Sequence, residues 1–258
     1  MTQRRRIDVN CDLGEAATPR QLQVEARLMT LVTSVNVACG VHAGDATLMR
    51  HTVRMAHRHN LAVGAHPGLP DRESKGRREQ SFSPAFVQEL IRSQVGDLMS
   101  ISQSEGVRLS HVKPHGALYN IAARDRLIAD AIATALLQLD HGLILVGLAD
   151  SELIAAGSAN GLRVAAEGFA DRGYRADGSL VPRGQAGAIL HDEAAVVARA
   201  RSLVTVERIA AIDGTVLHPR IHTLCLHGDT PDAVSLAQAL RVMFDEAGIS
   251  VIRVDHVA

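Results

Sequence analysis

The sequence is poor in aromatic residues and in cysteine. It contains no tryptophan, and aromatic residues make up 2% of its 258 positions. The three cysteines, Cys11, Cys39 and Cys225, show no CxxC spacing, and an odd number cannot pair completely. These absences argue against a disulfide-stabilised secreted domain and against a structural zinc site. We interpret the cysteines as small core residues of predicted strands.

Long apolar segments and targeting signals are also missing. No apolar run is long enough to span a bilayer, and no signal-peptide pattern follows the arginines at positions 4 to 6. We therefore expect a cytoplasmic protein that does not act at a membrane. The formal net charge is -1 and the arginine cluster is short, which argues against a nucleic-acid partner.

Nucleotide-binding motifs are absent as well. The sequence has neither a GxxxxGK[ST] loop nor a GxGxxG turn after a predicted strand. An ATP or dinucleotide site of the standard type is therefore not encoded. With 47% apolar residues the chain can bury a large core, and a small neutral or anionic substrate fits its charge.

Predicted strands and helices alternate along the whole chain. Most strand segments alternate apolar with polar residues, and segment 143–148 is continuously apolar, as a strand buried on both faces should be. The predicted strands are 7–12, 34–41, 61–65, 107–112, 143–148, 162–166, 221–226 and 249–254, and the predicted helices are 19–33, 47–59, 84–104, 124–137, 192–205 and 231–246. This order predicts one α/β domain, residues 1–258, whose parallel sheet closes into a (β/α) barrel. A doubly wound open sheet is the alternative.

The stretch 111–120 combines unusual chemistry with a clear break in structure. It begins as a strand and stops at a proline and a glycine, which cannot continue a hydrogen-bonded ladder. Because side chains alternate along a strand, His111, Lys113 and His115 share one face. A lysine between two histidines at a strand end suits anion binding or oxyanion stabilisation. A surface strand with solvated polar side chains is the alternative.

Ionisable residues follow the ends of six predicted strands. In a (β/α) barrel the carboxyl ends of the strands meet at one face, where active sites are built. That face would collect Asp12, Glu15, His42, Asp45, His66, Lys113, His115, Glu167, Arg172, His227 and Asp229. So many ionisable residues at one end of the strands predict a functional site there. Asp45 and Asp229 could instead cap the helices that follow them.

The chemistry of this face has alternatives with and without a metal. Asp12, His42 and His66 could converge on one divalent metal, since a carboxylate with imidazoles suits zinc or manganese, although no HxxxH-type spacing supports it. Without a metal, Asp12 or Glu15 is the candidate general base for water, and Lys113 is the electrophilic stabiliser.

A cysteine nucleophile is a further alternative. Cys39 with His42, or Cys225 with His227, could act as nucleophile and base. Strand alternation points Cys39 away from His42, whereas it allows Cys225 to share a face with His227.

Six segments resemble the motifs of one protein family. They are 9–15 (VNCDLGE), 36–45 (NVACGVHAGD), 64–67 (GAHP), 112–120 (VKPHGALYN), 167–172 (EGFADR) and 226–229 (LHGD). Together, in this order and over nearly the whole chain, they resemble the LamB/YcsF-type family. The resemblance implies a distorted, seven-stranded (β/α) barrel of the glycoside hydrolase/deacetylase type.

The resemblance also implies an activity. The family acts as one subunit of the bacterial ATP-dependent 5-oxoprolinase, which converts 5-oxo-L-proline, ATP and water to L-glutamate, ADP and phosphate with partner subunits B and C. ATP would then be a co-substrate activated largely by the partners, which agrees with the missing nucleotide motif. A lactam amide is a poor electrophile, so phosphorylation of its oxygen would create a leaving group.

The matching motifs imply roles for their residues. Asp12 and Glu15 would orient or deprotonate water, Lys113 and His115 would stabilise oxyanion or phosphate charge, and Arg172 would help to hold the substrate carboxylate. The expected substrate-binding residues are Asn10, His42, His66, Glu167, Arg172, His227 and Asp229. Two other functions stay open, a metal-dependent deacetylase or amidohydrolase acting alone and a non-catalytic subunit that delivers 5-oxoproline.

Overall fold

Strands and helices alternate along the chain in the computed structural model, which describes residues 5–227 and 232–258. The strands are β1 (Arg6–Leu13), β2 (Ser34–Ala38), β3 (Ala62–His66), β4 (His111–Val112), β5 (Ile144–Leu148), β6 (Arg163–Phe169), β7 (Ile209–Ala210), β8 (Val216–Leu217), β9 (Thr223–His227) and β10 (Ser250–Val251). The α-helices are α1 (Pro19–Leu28), α2 (Ala46–Arg58), α3 (Pro84–Ser104), α4 (Gly116–Ala122), α5 (Arg126–Leu139), α6 (Glu152–Ala159), α7 (Glu193–Val206) and α8 (Ala233–Glu246). A short 3-10 helix, Val254–His256, ends the chain.

The central sheet closes on itself. Strands β1 to β6 are parallel neighbours in chain order, and β9 pairs in parallel with both β6 and β1. The closed sheet therefore has seven strands, and the helices pack around it. The predicted (β/α) barrel is confirmed, and the alternative, a doubly wound open sheet, is wrong. Strands β7 and β8 form a separate antiparallel pair.

The last predicted strand, 249–254, does not join the barrel wall. Strand β10 is only two residues long and pairs with the start of β1, where Arg6 is opposite Ser250. The chain then turns into the 3-10 helix, and the Arg163 guanidinium donates to the Ala258 carbonyl at 2.7 Å. The C-terminal segment thus closes the amino end of the barrel.

Helix starts follow ordinary capping rules. The Asp45 side chain accepts the backbone N–H of Leu48 at 2.9 Å, which confirms its role as the cap of α2. Ser83 caps α3 in the same way, and Pro84 occupies the first turn, where no N–H is required. Helix α3 has the predicted bounds, whereas α1 ends at Leu28, earlier than predicted.

An apolar layer fills the barrel interior at the amino ends of the strands. There Val254 packs against Ala62, Ile144, Val146 and Ala165. Two members of this layer, Ala62 and Ala165, are alanines, and Val254 from the C-terminal turn packs into the space beside them.

Above this layer the interior becomes polar. Asp8 accepts hydrogen bonds from the hydroxyl groups of Thr33, Ser34 and Thr223. Thr223 in turn accepts the Asn10 amide at 2.6 Å. Burial raises the pKa of Asp8 to about 6, although the three hydroxyl donors oppose the shift.

Asn36 carries the polar network towards the carboxyl ends of the strands. Its amide donates to Asn10 and Asp12 at 2.8 Å each, and its carbonyl oxygen accepts from His111 Nε2 at 2.8 Å. Burial lowers the pKa of His111 to about 3, so the ring is neutral and its Nδ1 accepts from the Ser110 hydroxyl at 2.7 Å. His111 therefore lies on the inner face of the barrel, on the same side as Lys113, as strand alternation predicts.

Candidate active site

Lys113 directly follows β4, and its side chain crosses the barrel interior to residues of β1, β6 and β9. Its ammonium group is 2.8 Å from Glu167 Oε1, 3.0 Å from Asp12 Oδ1, 3.1 Å from Cys225 Sγ and 3.2 Å from Asn10 Oδ1. Burial opposes its charge, but the nearby carboxylates outweigh burial and raise its pKa well above the usual value. The side chain is only 3% exposed, so the protein's own acceptors surround this cation.

Asp12 bridges Lys113 to the histidines of the site. One carboxylate oxygen contacts Lys113, and the other lies 3.3 Å from His66 Nε2. Burial opposes ionisation, but the charges of His66 and Lys113 outweigh it and hold the pKa of Asp12 well below its usual value. Asp12 is therefore an ionised carboxylate whose two oxygens point to different partners.

Three histidine rings pack together beside Asp12. His66 Nδ1 donates to the Lys113 carbonyl at 2.7 Å, and His115 Nε2 donates to the Lys75 carbonyl at 2.8 Å. The remaining nitrogens, His66 Nε2 and His115 Nδ1, lie 2.9 Å apart. His42 stacks on His115 with the centroids 3.9 Å apart and the planes within 4°. Burial lowers the pKa of His115 well below its usual value.

Glu15 closes the group from the loop after β1. Its Oε1 accepts from His42 Nε2 at 3.4 Å and lies 3.7 Å from His115 Nδ1. Burial opposes ionisation, but the hydrogen bond from His42 and the neighbouring imidazoles outweigh it and lower the pKa of Glu15 to about 2. The Glu25 carboxylate on α1 accepts the backbone N–H groups of Gly14 and Glu15 at 3.1 Å each. Glu25 thus fixes the turn that presents Glu15.

His227 and Asp171 form a second acid–histidine pair. His227 Nδ1 donates to Asp171 Oδ2 at 2.7 Å, and Phe169 stacks on the imidazole with the centroids 5.6 Å apart. Burial opposes the charge of Asp171, but His227 outweighs it and lowers the pKa of that carboxyl. Sequence reasoning missed Asp171, although it lies in segment 167–172.

A cavity of about 790 Å³ opens above these groups. Four of the predicted site residues, Asp12, Glu15, His115 and His227, line it. Its other charged lining residues are Arg20, Glu25, Arg27, Lys75, Arg77 and Asp232. The arginines of α1 were not predicted, because no motif marks them.

The other predicted site residues lie behind the cavity or away from it. Four are buried below its floor, namely Asn10, His42, His66 and Glu167. Arg172 is not among the lining residues. Its guanidinium group donates to the Ala188 and Val181 carbonyls at 3.0 and 2.7 Å, so it holds its own loop and its placement does not support a contact with the substrate carboxylate. Asp229 lies outside the described residues.

Two groups of potential metal ligands occur among residues 5–227 and 232–258. Asp12, Cys225 and His227 each place one donor atom within 4.8 Å of the others, and so do Glu15, His42 and His115. Neither group is the predicted set of Asp12, His42 and His66.

The buried cysteines do not have the character of nucleophiles. Burial raises the pKa of Cys39 to about 12 and that of Cys225 well above its usual value. Nucleophilic attack needs an accessible thiolate, and both thiols are buried and neutral. The geometry therefore favours acid–base chemistry over a cysteine nucleophile.

Fold and site together define a class of protein. A seven-stranded (β/α) barrel carries ionised carboxylates and imidazoles at the carboxyl ends of its strands, beneath an open cavity. This arrangement is typical of enzymes that move protons at a small substrate. In the described residues no helix combines the length and hydropathy that crossing a bilayer requires.

Comparison with known proteins assigns the family. The LamB/YcsF family model matches residues 7–258. The A-type subunit of 5-oxoprolinase from Methylococcus capsulatus is 48% identical over 247 residues, which cover 96% of this chain and 95% of that protein. The chain therefore belongs to the LamB/YcsF family.

Solved structures agree with this assignment. The lactam utilization protein of Thermus thermophilus superposes with a TM-score of 0.87 at 39% identity, covering 96% of this chain and 99% of that one. The T48 deacetylase, at 15% identity and a TM-score of 0.50, covers 99% of this chain and 91% of its own. The second likeness concerns the fold alone.

Proposed function

We propose that this chain is the subunit of an ATP-dependent 5-oxoprolinase that opens the lactam of 5-oxo-L-proline to L-glutamate. The observation that carries the proposal is the floor of the cavity, where Asp12, Glu15, His115 and His227 converge. The relatives named as A-type subunits of 5-oxoprolinase, which match almost end to end, support the choice of substrate. Partner subunits B and C bind and activate ATP, because this sequence carries no standard nucleotide motif.

His227 is the proton carrier in this proposal. Its Nδ1–H is committed to Asp171, so Nε2, which accepts from none of the described residues, can take a proton from the water that attacks the phosphorylated lactam carbon. Nε2 then returns the proton to the ring nitrogen as the C–N bond breaks, and a second water hydrolyses the resulting acyl phosphate to glutamate and phosphate. Asp171 acts through His227, because it fixes the tautomer and the orientation of the ring. The carboxylates of Asp12 and Glu15 are weak bases at neutral pH, since their pKa values are lowered, and they orient the attacking water.

Lys113 acts through Asp12 in this proposal. Four acceptors surround its ammonium group, so it fixes the position and the charge of Asp12. His115 lines the cavity directly, so it is nearer than Lys113 to a bound substrate.

Basic residues at the cavity rim bind the anionic parts of the substrate. Arg20 and Arg27 are seven positions apart on α1, so they lie on one face of the helix, and both line the cavity with Lys75. The carboxylate of 5-oxoproline and a phosphorylated lactam oxygen are both anionic. Guanidinium groups bind such oxygens in bidentate geometry.

A reconstitution tests the proposal. Glutamate and phosphate release are measured for the chain alone, for subunits B and C alone, and for the mixture, each with 5-oxoproline and with or without ATP. We expect glutamate only from the mixture. Activity of the chain alone without ATP would instead favour a metal-dependent amidohydrolase.

Site variants separate catalysis from delivery. In the mixture, His227→Gln and Asp171→Asn are each expected to lower the rate roughly 100-fold, within the range of general acid–base catalysis. His59→Gln, an exposed residue after α2, is the matched control and should keep full activity. Full activity of both site variants would favour a subunit that only delivers 5-oxoproline.

A further inference from the structure

The chain uses lysine at only two positions. It contains 25 arginines and two lysines, Lys75 and Lys113. Both lysines belong to the candidate active site, because Lys113 is buried below the cavity and Lys75 lines it. A lysine at position 75 is therefore an exception in a chain whose basic side chains are otherwise arginines or histidines.

The loop that carries Lys75 is fixed to the floor of the cavity. The Lys75 carbonyl accepts from His115 Nε2 at 2.8 Å, and the Arg72 guanidinium donates to the Gly44 carbonyl at 2.7 Å. The next residue, Gly76, packs against the same histidine, since an added Cβ would lie 3.2 Å from the His115 ring. The backbone of this loop is therefore held in place beside the reacting groups.

The backbone of Lys75 lies in the left-handed region, with a φ of 53°. Residues with a Cβ seldom adopt this conformation, and where their surroundings impose it they cluster at functional sites. In this conformation the Lys75 carbonyl points to His115, whereas the side chain lines the cavity. One residue thus supports the floor through its backbone and presents an ammonium group to the cavity.

The Lys75 ammonium is available to a ligand. The side chain is exposed, and no hydrogen bond or ion pair joins it to any side chain within residues 5–227 and 232–258. The floor beside it is acidic, because Asp12 and Glu15 are ionised. An anionic ligand above these carboxylates needs a cation close by, and Lys75 meets that need.

The activated substrate carries two anionic groups, one on each side of its ring nitrogen. That nitrogen is bonded to the carbon that bears the carboxylate and to the lactam carbon, whose oxygen is phosphorylated. The cavity has basic residues in two corresponding places: Arg20 and Arg27 lie on α1, which follows β1, and Lys75 lies in the loop after β3. Strand β2 separates β1 from β3, so one anionic group can be bound on each side.

The shapes of the cations assign the two groups. A guanidinium is planar and matches a planar carboxylate in bidentate geometry, whereas an ammonium is a compact point charge whose three donors suit a tetrahedral phosphoryl group. The arginines of α1 therefore suit the carboxylate, and Lys75 suits the phosphoryl oxygens. The phosphoryl group stays on the substrate until the second water attacks, so this contact persists through both hydrolytic steps.

We propose that Lys75 binds the phosphoryl group of the activated substrate in an anion subsite beside His115. The inference rests on the proposed function and deepens it, because it separates the position of the phosphoryl group from that of the carboxylate. The two lysines then have different roles, since Lys113 acts through Asp12 and Lys75 contacts the substrate.

Phosphate binding by the purified full chain tests the subsite without any reaction. Inorganic phosphate is titrated calorimetrically at constant ionic strength, and the Tm is recorded with and without phosphate. We expect saturable binding that weakens roughly tenfold in Lys75→Gln and is largely kept in Lys75→Arg. The matched control is Arg58→Gln, an exposed residue at the end of α2, which should bind phosphate as wild type does. Absence of binding, or equal binding by Lys75→Gln and wild type, would overturn the inference.

Kinetics of the reconstituted enzyme place the subsite in the reaction. Lys75→Gln should lower kcat roughly tenfold at a nearly constant KM for 5-oxoproline, because the phosphoryl group is present only after activation. An unchanged kcat, or a raised KM at constant kcat, would contradict the assignment of Lys75 to the phosphoryl group. If the wild-type mixture releases no glutamate while the chain binds phosphate through Lys75, the proposed function fails and the anion subsite stands.

Discussion

Acidification is expected to destabilise the fold through His111. The pKa of this buried ring is lowered from 6.5 to about 3, so the folded state resists a proton that the unfolded chain binds. The stability contributed by the neutral ring is fully present above pH 6.5 and is lost as the pH falls towards 3. Between pH 6.5 and about 4.5 the loss is roughly 2–3 kcal/mol, at about 1.4 kcal/mol per pKa unit.

The physical cause of this shift can be assigned to particular neighbours. Burial contributes most, and the charges of Lys113 and His66 act in the same direction. Asp12 and Asp255 attract a proton to the ring but do not outweigh burial. Protonation would also force Nδ1 to donate to the Ser110 hydroxyl, which now donates to it.

The assay is urea unfolding at several pH values, for wild type and His111→Gln. Glutamine can keep the donor to Asn36 but does not titrate. Wild type alone is not sufficient, because Asp8 contributes with the opposite sign: its pKa is raised to about 6, so its protonation favours the folded state as the pH falls. Asp8 is present in both proteins, so the difference between them isolates His111. Parallel pH profiles for the two proteins would refute the reasoning.

Three further predictions concern packing and the site. Gly64→Ala should lower the free energy of unfolding in urea by about 1–3 kcal/mol, because an added Cβ would lie 2.2 Å from the His111 ring. The control is Gly96→Ala in α3, where an added Cβ meets no atom within 4 Å, and it should be neutral or stabilising. Glu25→Gln should lower kcat/KM of the reconstituted enzyme roughly tenfold, because one backbone N–H of the turn loses its acceptor, and an unchanged kcat/KM would contradict its positioning role. Arg27→Gln should raise the KM for 5-oxoproline several-fold at nearly constant kcat, by loss of a rim contact of roughly 1 kcal/mol, and an unchanged KM would place the substrate carboxylate elsewhere.

The barrel itself was predictable because its strands carry a repeated signal. Six of the predicted strands are followed by ionisable residues, and the long helix α3 has a serine N-cap and an apolar stripe. The short helices α4 and α6 were missed, since helices of seven and eight residues show too little periodicity. Segment 249–254 was predicted as a full strand, whereas it forms the two-residue strand β10 and leads into the C-terminal turn. An apolar run does not reveal what it will pack against.

The sequence predicts which face of a strand each site residue lies on, but not how deeply its side chain is buried. Strand alternation correctly placed Asp12, Lys113 and His115 on the inner face. Alternation does not reveal how far a side chain lies from the open cavity, so it could not show that Lys113 is enclosed by its own neighbours. Arg172 was misplaced for another reason, since the carbonyls that capture it belong to a loop that returns 9 and 16 residues later.

The polar interior makes the site depend on residues far below it. Hydrogen bonds connect Asp8 to Thr223, Asn10, Asn36 and then Asp12, without a break. In the part of the chain that the structure describes, the buried side-chain atoms without a partner are His42 Nδ1, Thr52 Oγ1, Ser102 Oγ, Asp171 Oδ1 and Arg199 Nε, and none belongs to this path. A buried polar group that loses its partner costs about 1–3 kcal/mol. An apolar replacement of any one member would therefore leave its neighbours unpaired. The position of the Asp12 carboxylate is thus determined by this whole hydrogen-bonded path as well as by Lys113.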